Sequence, residues 1–283
     1  MTLMHLANRG VVRVSGPDAA TLLNGLVTND AARATATTAI FAAMLTPQGK
    51  YLFDMFIISP EPEVYLLDVS RTVDFTKRLT MYRLRSRVTI EDLSDSLGVY
   101  AVVSGQPASL EGHAFDDPRL PNLGQRVLAS LRLAETDSAY QAYRLGLGVP
   151  DPAVDLLVEK DFVMEGLFDE LCGLDHHKGC YVGQEMTSRM KRRTSVKNKL
   201  CRVRYSGAPP EFETPILADG WEVGRMRSGI DGVGIAMIRF DRARKAQGEG
   251  YALMAGETAI ALDPPDWLEQ PETATQSPSL PPK

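Results

Sequence analysis

Residues 178–189 read Lys-Gly-Cys-Tyr-Val-Gly-Gln-Glu-Met-Thr-Ser-Arg, and this stretch decides more about the fold than any other part of the chain. Its cysteine, Cys180, stands between two glycines, Gly179 and Gly183. Glycines on both sides predict a backbone that turns sharply there or passes close to another segment. The stretch is therefore expected to form a tight loop that presents or buries a thiol.

A helix is expected to follow the cysteine. Residues 185–193 are rich in helix formers, so Gln184 and Glu185 should open it. Cys180 would then lie just before a helix N-terminus, with Lys178 two residues before it, and both features favour a thiolate over a thiol. The alternative is a thiol buried as a small apolar side chain, which is the usual state of a lone cysteine.

Composition sets the class of protein. The chain has 283 residues, 44% hydrophobic and 24% charged, with a formal net charge of −5, as in an ordinary globular protein that is not basic throughout. Three cysteines are too few for a disulfide framework, which favours a reducing compartment. The N-terminus shows no signal, transit peptide or membrane span. We expect a cytoplasmic protein, or one of the mitochondrial matrix in a eukaryote, without membrane contact.

Hydrophobic patterning up to about residue 195 predicts strands, hairpins and a few helices, which is typical of the α+β class. The expected strands are 10–14, 40–45, 51–59, 64–69, 88–91 and 99–103, and the expected helices are 19–26, 71–82, 140–146 and 162–174. Residues 106–122 are expected to be rich in loops, because glycine, proline and asparagine are frequent there.

A different pattern begins at Lys199. Short strands separated by glycines, at 200–205, 221–227, 233–238 and 251–254, predict a small antiparallel barrel. The proline-rich stretch 264–283 predicts disorder. The expected domains are 1–195, with a break near 98–110, then the barrel over 196–263, then the tail.

The octapeptide 178–185 resembles the signature of the folate-binding YgfZ family, a branch of the aminomethyltransferase (glycine-cleavage T-protein) superfamily whose mitochondrial relatives act in iron–sulfur protein maturation. Further segments resemble the family in the expected order: 18–30 (DAATLLNGLVTND), 44–57 (MLTPQGKYLFDMFI), 82–95 (YRLRSRVTIEDLSD) and 144–150 (RLGLGVP). The resemblance implies an aminomethyltransferase-like fold, in which two α/β subdomains surround a central pocket and a C-terminal antiparallel β-barrel follows. It also implies tetrahydrofolate or a derivative as ligand and iron–sulfur client or assembly proteins as partners.

The resemblance also assigns site residues. Cys180 would be the reactive or cluster-contacting thiol, with Lys178 lowering its pKa. The remaining motif-loop residues would order the loop or bind an acid or ligand: Gly179, Tyr181, Gly183, Gln184, Glu185 and Arg189. The folate pocket would be lined by Glu165, Arg144, Tyr82, Arg83 and Asp54. The alternatives are a helix-surface role for Glu165, and salt bridges from Arg83 and Arg85 to Glu91, Asp92 or Asp95.

Two positions depart from the transferase pattern. Phe53 stands where the transferases have the first of two paired acids, so only Asp54 remains, and Gly146 replaces the glutamate that holds the pteridine. Without these acids, glycine-cleavage chemistry is not expected to run efficiently. A folate-dependent one-carbon transferase with an altered substrate, using Asp54 as its surviving acid, remains the alternative.

Two further clusters of polar residues could bind a ligand. Residues 189–204 carry eight cations, and no acidic residue lies between Met186 and Pro210. This basic run could contact a folate glutamate tail or RNA phosphates, which makes an RNA-binding module the third hypothesis, or it could be a plain exposed surface. Cys172, His176, His177 and Cys180 lie close together, but their spacing matches no metal-binding pattern, so no metal is expected.

Overall fold

Two antiparallel sheets and a closed barrel contain the strands of the computed structural model, which describes residues 3–103, 111–131, 137–192 and 196–268. The strands in these ranges are β1 (Leu3–His5), β2 (Arg9–Ser15), β3 (Ile40–Leu45), β4 (Tyr51–Glu61), β5 (Val64–Ser70), β6 (Thr89–Asp92), β7 (Gly98–Val102), β8 (Gly112–Asp116), β9 (Gln125–Ala129), β10 (Asn198–Arg204), β11 (Pro215–Ala218), β12 (Trp221–Ile230), β13 (Val233–Arg239), β14 (Leu253–Ala255) and β15 (Thr258–Leu262). The helices are α1 (Ala19–Leu26), α2 (Thr72–Arg83), α3 (Asp137–Gly146), α4 (Pro152–Asp155), α5 (Gln184–Arg192) and α6 (Phe240–Gly248).

The first sheet has the strand order β3-β4-β5-β2-β6 and is buried on both faces. One face packs against α1 and α2 through a cluster that includes Leu23, Phe53 and Phe75. The other face contributes Phe41 and Phe56 to the large central core. The predicted strands and helices of this region are confirmed, because long apolar strands joined by short turns leave little ambiguity.

The second sheet has the order β1-β7-β9-β8. β8 and β9 pair in register from Gly112 with Ala129 to Asp116 with Gln125. Strand β8 was not predicted within the loop-rich stretch 106–122. Its Gly and Asp residues resemble turn composition, and pairing with β9 overrides that local preference.

The C-terminal barrel is confirmed. Six strands close in the order β10-β13-β12-β11-β14-β15 around a core that includes Val203, Ile216 and Ile238. Helix α6 packs Phe240 and Ala243 against the same core. Strands β11 and β15 and helix α6 were not predicted from the sequence.

The segment 162–174 was predicted to be a helix, and this was wrong. It is a series of turns, in which Leu167 and Cys172 have φ of 64° and 58°. A left-handed residue cannot continue a right-handed helix. The segment is apolar because Val163 and Phe168 enter the central core, where Phe168 stacks on Phe41 at 4.7 Å between ring centroids.

The described chain stays packed as far as Leu268. The indole nitrogen of Trp267 donates to the carbonyl of Leu147 at 2.9 Å, and Leu268 is buried in the central core. The first residues of the predicted tail therefore lie against α3, while 269–283 lie outside the described residues. The domain boundaries stay a prediction. Across the described ranges, no helix is long and apolar enough to span a membrane.

Candidate functional site at the cysteine loop

Lys178 fastens the loop to the end of α1. Its ammonium donates to the main-chain oxygens of Asn24 at 3.0 Å, Val27 at 2.7 Å and Asn29 at 2.7 Å. Cations favour this end of a helix, where carbonyl groups lack intrahelical partners. Burial lowers the pKa of Lys178 to about 8. The ammonium is thus directed at carbonyl oxygens of α1 and the turn after it, and its predicted effect on the thiol stays a prediction.

On the other side of the loop, the backbone of Gly183 packs directly against the turn between β3 and β4. It has a φ of 86°, and a Cβ atom there would lie 2.7 Å from the carbonyl oxygen of Thr46 and 3.1 Å from the Cα of Gly49. The predicted close approach of backbone is confirmed for Gly183. Gly179 differs, because its φ is not in the left-handed region and a Cβ there would meet nothing within 4 Å.

Between these two fixed points, Cys180 is exposed as a free thiol. The alternative of a buried cysteine was therefore wrong for this residue. Cys172 is also exposed, whereas Cys201 is buried in the barrel, where desolvation raises the pKa of its thiol to about 12. Tyr181, directly after Cys180, is buried in the central core, with the Lys178 ammonium 5.3 Å from its ring centroid.

Helix α5 begins at Gln184, as predicted. The side-chain amide of Gln184 donates to the carbonyl of Gly179 at 3.5 Å, which is a long contact across the loop. Glu185 and Arg189 are exposed, and neither forms an ion pair with the described residues. An open groove of about 760 Å³ runs along this helix, lined by His176, His177, Gln184, Glu185, Ser188, Lys191 and Arg192.

The basic run is partly neutralised by acids from other segments. Lys191 pairs with Asp169 and Lys199 pairs with Glu170. Arg202 and Arg204 share Asp263, at 3.0 and 2.6 Å. Half of the eight cations therefore have carboxylate partners that the local sequence did not show. His176 also contacts Asp169, at 2.7 Å, and the described residues contain no group of three or more His, Cys, Asp or Glu that could hold a metal.

A cavity of about 10 Å³ lies between the two sheets and α3, with Arg144 in its lining. Arg144 is fully buried and donates to Asp155 at 2.9 Å and to Ser228 on the barrel at 3.0 Å. The other lining residues are Leu6, Asn8, Arg9, Arg119, Arg126, Tyr140, Gln141 and Asp151. This volume is that of about one water molecule.

Buried ion pairs fill the centre of the molecule beside that cavity. Arg9 donates to Asp54 at 2.8 Å and also pairs with Asp68. Arg126 extends the network from Asp68, at 2.6 Å, to Asp117, at 3.1 Å. Burial alone would raise the pKa of Asp117, but pairing with Arg119 and Arg126 outweighs burial and lowers it to about 2. Each buried charge here has an opposite charge beside it, as a low-dielectric interior requires.

The five predicted folate residues do not all line the central cavity. Asp54 is enclosed between Arg9 and the hydroxyl of Tyr51, which donates to it at 2.9 Å. Glu165 accepts from the main-chain nitrogen of Phe162 at 3.0 Å and from the side chain of Asn198 at 3.2 Å.

Burial raises the pKa of Glu165, which joins the turn segment to β10 and is not a surface glutamate. Tyr82, on α2, packs against the cluster between that helix and the first sheet, and Arg83 is exposed. Of the five predicted residues, Arg144 alone lines the central cavity.

Sequence reasoning missed the arginine–carboxylate network. A signal for it existed, because Asp68 interrupts the apolar strand 64–69 and Arg9 begins another apolar strand. A charge inside a buried strand needs a partner, so each of these residues predicted an ion pair without identifying the partner.

Two sheets, a buried polar centre and a closed C-terminal barrel define an aminomethyltransferase-like protein. Residues 1–109 match the GCVT N-terminal domain, and residues 197–270 match the CAF17 C-terminal beta-barrel domain. The crystal structure of glycine cleavage system aminomethyltransferase T from Bartonella henselae matches with a TM-score of 0.69 and 16% identity, covering 95% of this chain and 86% of that one. At this identity the likeness establishes the fold alone.

The chain belongs to the IBA57 family of iron–sulfur cluster assembly factors, which is part of the YgfZ family. It is 31% identical to the mitochondrial factor IBA57 of Homo sapiens, covering 93% of this chain and 84% of that protein. It is 30% identical to the mitochondrial IBA57 homolog of Mycosarcoma maydis, and the match covers 86% of this chain and 75% of that protein. The resemblance seen in the sequence is confirmed. These relatives are named as mitochondrial proteins, and a cytoplasmic location for this chain stays a prediction.

Proposed function

We propose that this protein supports the assembly of iron–sulfur clusters in other proteins and that Cys180 is the thiol that contacts the cluster or its carrier. The names of the relatives support the first part. The observation that carries the second is the exposure of the Cys180 thiol on a loop that is fastened at Lys178 and at Gly183.

A cluster contact at Cys180 requires a second protein. Iron–sulfur clusters are held by several ligands, usually four thiolates, and a soft thiolate suits iron in such clusters. The loop offers one exposed thiol, and no metal-holding group of His, Cys, Asp or Glu is present in the described residues. The remaining ligands would come from an iron–sulfur carrier or client docked against the loop.

Tetrahydrofolate, the ligand implied by the resemblance, does not fit the central cavity. A small-molecule pocket has a volume of about 300–1,000 Å³, whereas this cavity holds about 10 Å³ and is bordered by ion-paired arginines. The proposed function therefore does not use folate. Titration calorimetry with tetrahydrofolate tests this statement directly: we expect no binding heat, and micromolar binding would contradict it.

The transferase alternative has no support from the geometry. Asp54 would need access to a substrate to move a proton, but it is fully buried and bonded to Arg9 and Tyr51. The RNA alternative rests on a basic run in which four of the eight cations are paired with carboxylates. Neither is proposed.

The test is complementation in cells that lack their own copy of the protein. We expect wild type to restore the activities of iron–sulfur enzymes relative to an enzyme without a cluster. Cys180→Ser should restore no more than the empty vector. Cys172→Ser, which removes the other exposed thiol, should restore as well as wild type. Full restoration by a stably expressed Cys180→Ser would remove Cys180 from the proposal.

A further inference from the structure

Helix α2 presents aliphatic side chains to solvent. Val73 and Met81 are 60% and 69% exposed, and Leu84, directly after the helix, is 85% exposed. At 3.6 residues per turn, Val73, Lys77 and Thr80 share one side of the helix, and Met81 lies about 80° further round it. The opposite face carries Phe75 and Leu79, which are fully buried. The solvent side of α2 thus exposes two aliphatic side chains among the polar residues Asp74, Lys77, Thr80 and Arg83.

The backbone holds Leu84 in this exposed position. Leu84 has a φ of 46° and a ψ of −110°, a conformation that residues with a Cβ rarely adopt. Strained residues of this kind persist where the surrounding structure fixes them, and they cluster at functional sites. Most of the Leu84 side chain is in water, and it lies at an open, shallow groove of about 740 Å³ that Asp18, Arg85 and Ser86 also line.

Unpaired cations surround these aliphatic side chains. Lys77, Arg83 and Arg85 are exposed, and none of them forms an ion pair within the described part of the chain. Their neighbours differ, since Arg78 lies 3.7 Å from Glu159 and Arg87 lies 3.2 Å from Asp18.

Within the described residues, neither Arg83 nor Arg85 forms the expected salt bridge to Glu91, Asp92 or Asp95. Glu91 pairs with Arg13 at 3.5 Å, and the Asp92 carboxylate accepts from Ser94. The two arginines therefore remain available to an external anion.

We propose that this α2 surface (Val73, Lys77, Met81, Arg83, Leu84 and Arg85) docks on a membrane whose headgroups are anionic. Protruding aliphatic side chains can enter the fluid interface between headgroups and acyl chains, which needs no preformed groove. The three cations would meet headgroup phosphates and carboxylates. This is a surface contact and is consistent with the absence of a spanning helix in the described ranges. It does not depend on the proposed role of Cys180.

Charge complementarity is what selects an anionic membrane as the occupant. The whole chain has a formal net charge of −5, so a negative surface would repel most of the molecule. Attraction must then come from a local cluster of cations, and the α2 surface combines such a cluster with exposed aliphatic groups. Binding should consequently require both the aliphatic residues and the cations, and it should weaken as salt is added.

The experiment is co-sedimentation of the full chain with vesicles of phosphatidylcholine alone or mixed with phosphatidylserine. We expect binding to the mixed vesicles only. The double variant Met81→Ser with Leu84→Ser should weaken that binding at least tenfold. Arg83→Gln and Arg85→Gln should each weaken it about fivefold. Thermal unfolding of these variants should match wild type, because the replaced side chains are exposed.

Two control variants make the same chemical changes elsewhere. Leu217→Ser alters an exposed leucine of β11, and the pair Arg189→Gln and Arg192→Gln removes two exposed cations of α5. Both should bind like wild type. The proposal is overturned by absent binding, by equal binding to both vesicles, or by controls that lose binding as much as the α2 variants. A dimer in sedimentation velocity that Leu84→Ser dissociates would assign this surface to a second copy of the chain instead.

Discussion

Gly183 and Gly49 face each other where the cysteine loop crosses the β3–β4 turn, and a Cβ atom on Gly183 would lie 3.1 Å from the Cα of Gly49. Both residues have positive φ, 86° and 78°. Two segments more than a hundred residues apart in sequence therefore approach at backbone distance. This contact fixes where the loop leaves the first sheet and where α5 begins.

The two glycines that flank Cys180 should respond differently to a methyl group. Gly183→Ala should lower the free energy of unfolding by about 1–3 kcal/mol, because the added Cβ strains the backbone and collides with the Thr46 carbonyl. Gly179→Ala should change it by less than about 0.5 kcal/mol, because space is open there. Urea unfolding of both variants makes the comparison. Equal losses would show that the loop is not held at Gly183.

Lys178 should contribute to stability through its three carbonyl partners. Lys178→Met should cost about 1–3 kcal/mol, because the main-chain oxygen atoms of Asn24, Val27 and Asn29 lose their donor. Lys160→Met removes an exposed lysine without an ion pair in the described ranges and should be close to neutral. Urea unfolding measures both.

The same Lys178→Met variant tests the predicted activation of the thiol. If the Lys178 ammonium only positions the loop, the pH dependence of Cys180 alkylation should be unchanged. A midpoint of that dependence shifted to higher pH would instead establish an electrostatic effect of Lys178 on the thiol.

The three thiols should separate by reactivity. Cys172 and Cys180 are exposed and should alkylate in the native protein, whereas Cys201 is buried with its thiol pKa raised to about 12 and should react only after unfolding. Mass spectrometry should show two adducts under native conditions and three in denaturant. A third adduct that forms natively at a comparable rate would contradict the burial of Cys201.

Asp117 should contribute to the loss of stability at acid pH, which we call the acid limb of the plot of unfolding free energy against pH. Its pKa is about 2 in the folded protein against an ordinary value of 3.8, so its stabilising effect is complete above pH 4 and is lost as the pH falls toward 2. Asp117→Asn should cost on the order of 3–5 kcal/mol at neutral pH, because Arg119 and Arg126 lose a buried partner. The difference in unfolding free energy between wild type and Asp117→Asn should become smaller as the pH falls from 4 to 2.

Asp116→Asn, at the exposed neighbouring carboxylate, is the matched control for this titration. It should leave the acid limb unchanged. Urea unfolding at a series of pH values measures both variants. A wild-type acid limb no steeper than that of Asp117→Asn would refute the assignment.

Much of the fold could be predicted because its signals are local. Helix α1 and strand β3 have the bounds that capping residues and apolar runs indicated, and the turn before β4 is marked by Pro47 and Gly49. The segment 162–174 failed because a buried series of turns and a buried helix have the same apolar composition. Strand β8 failed because its pairing with β9 decides its structure, and local composition does not reveal that partner.

The candidate site divides in the same way. The loop around Cys180 could be predicted, because glycines and a helix start are written in consecutive residues. The central network could not, because Arg9, Asp54, Asp68 and Arg126 come from four strands and meet only in the folded protein. Glu165, Tyr82 and Arg83 were predicted to line a common pocket, but none of them lines the central cavity. A linear sequence does not contain the distances that would have shown this.

The pairing of β1 with β7 imposes an order on how a newly made chain can fold. Met4 lies opposite Ala101, yet the strand that directly follows β1 belongs to the other sheet. On the ribosome, at about 5–20 residues per second, the first strand must wait roughly 5–20 s for its partner to be synthesised. The first sheet can form once β6 has emerged from the ribosome. Strand β1, although it is synthesised first, pairs only later, when β7 is available.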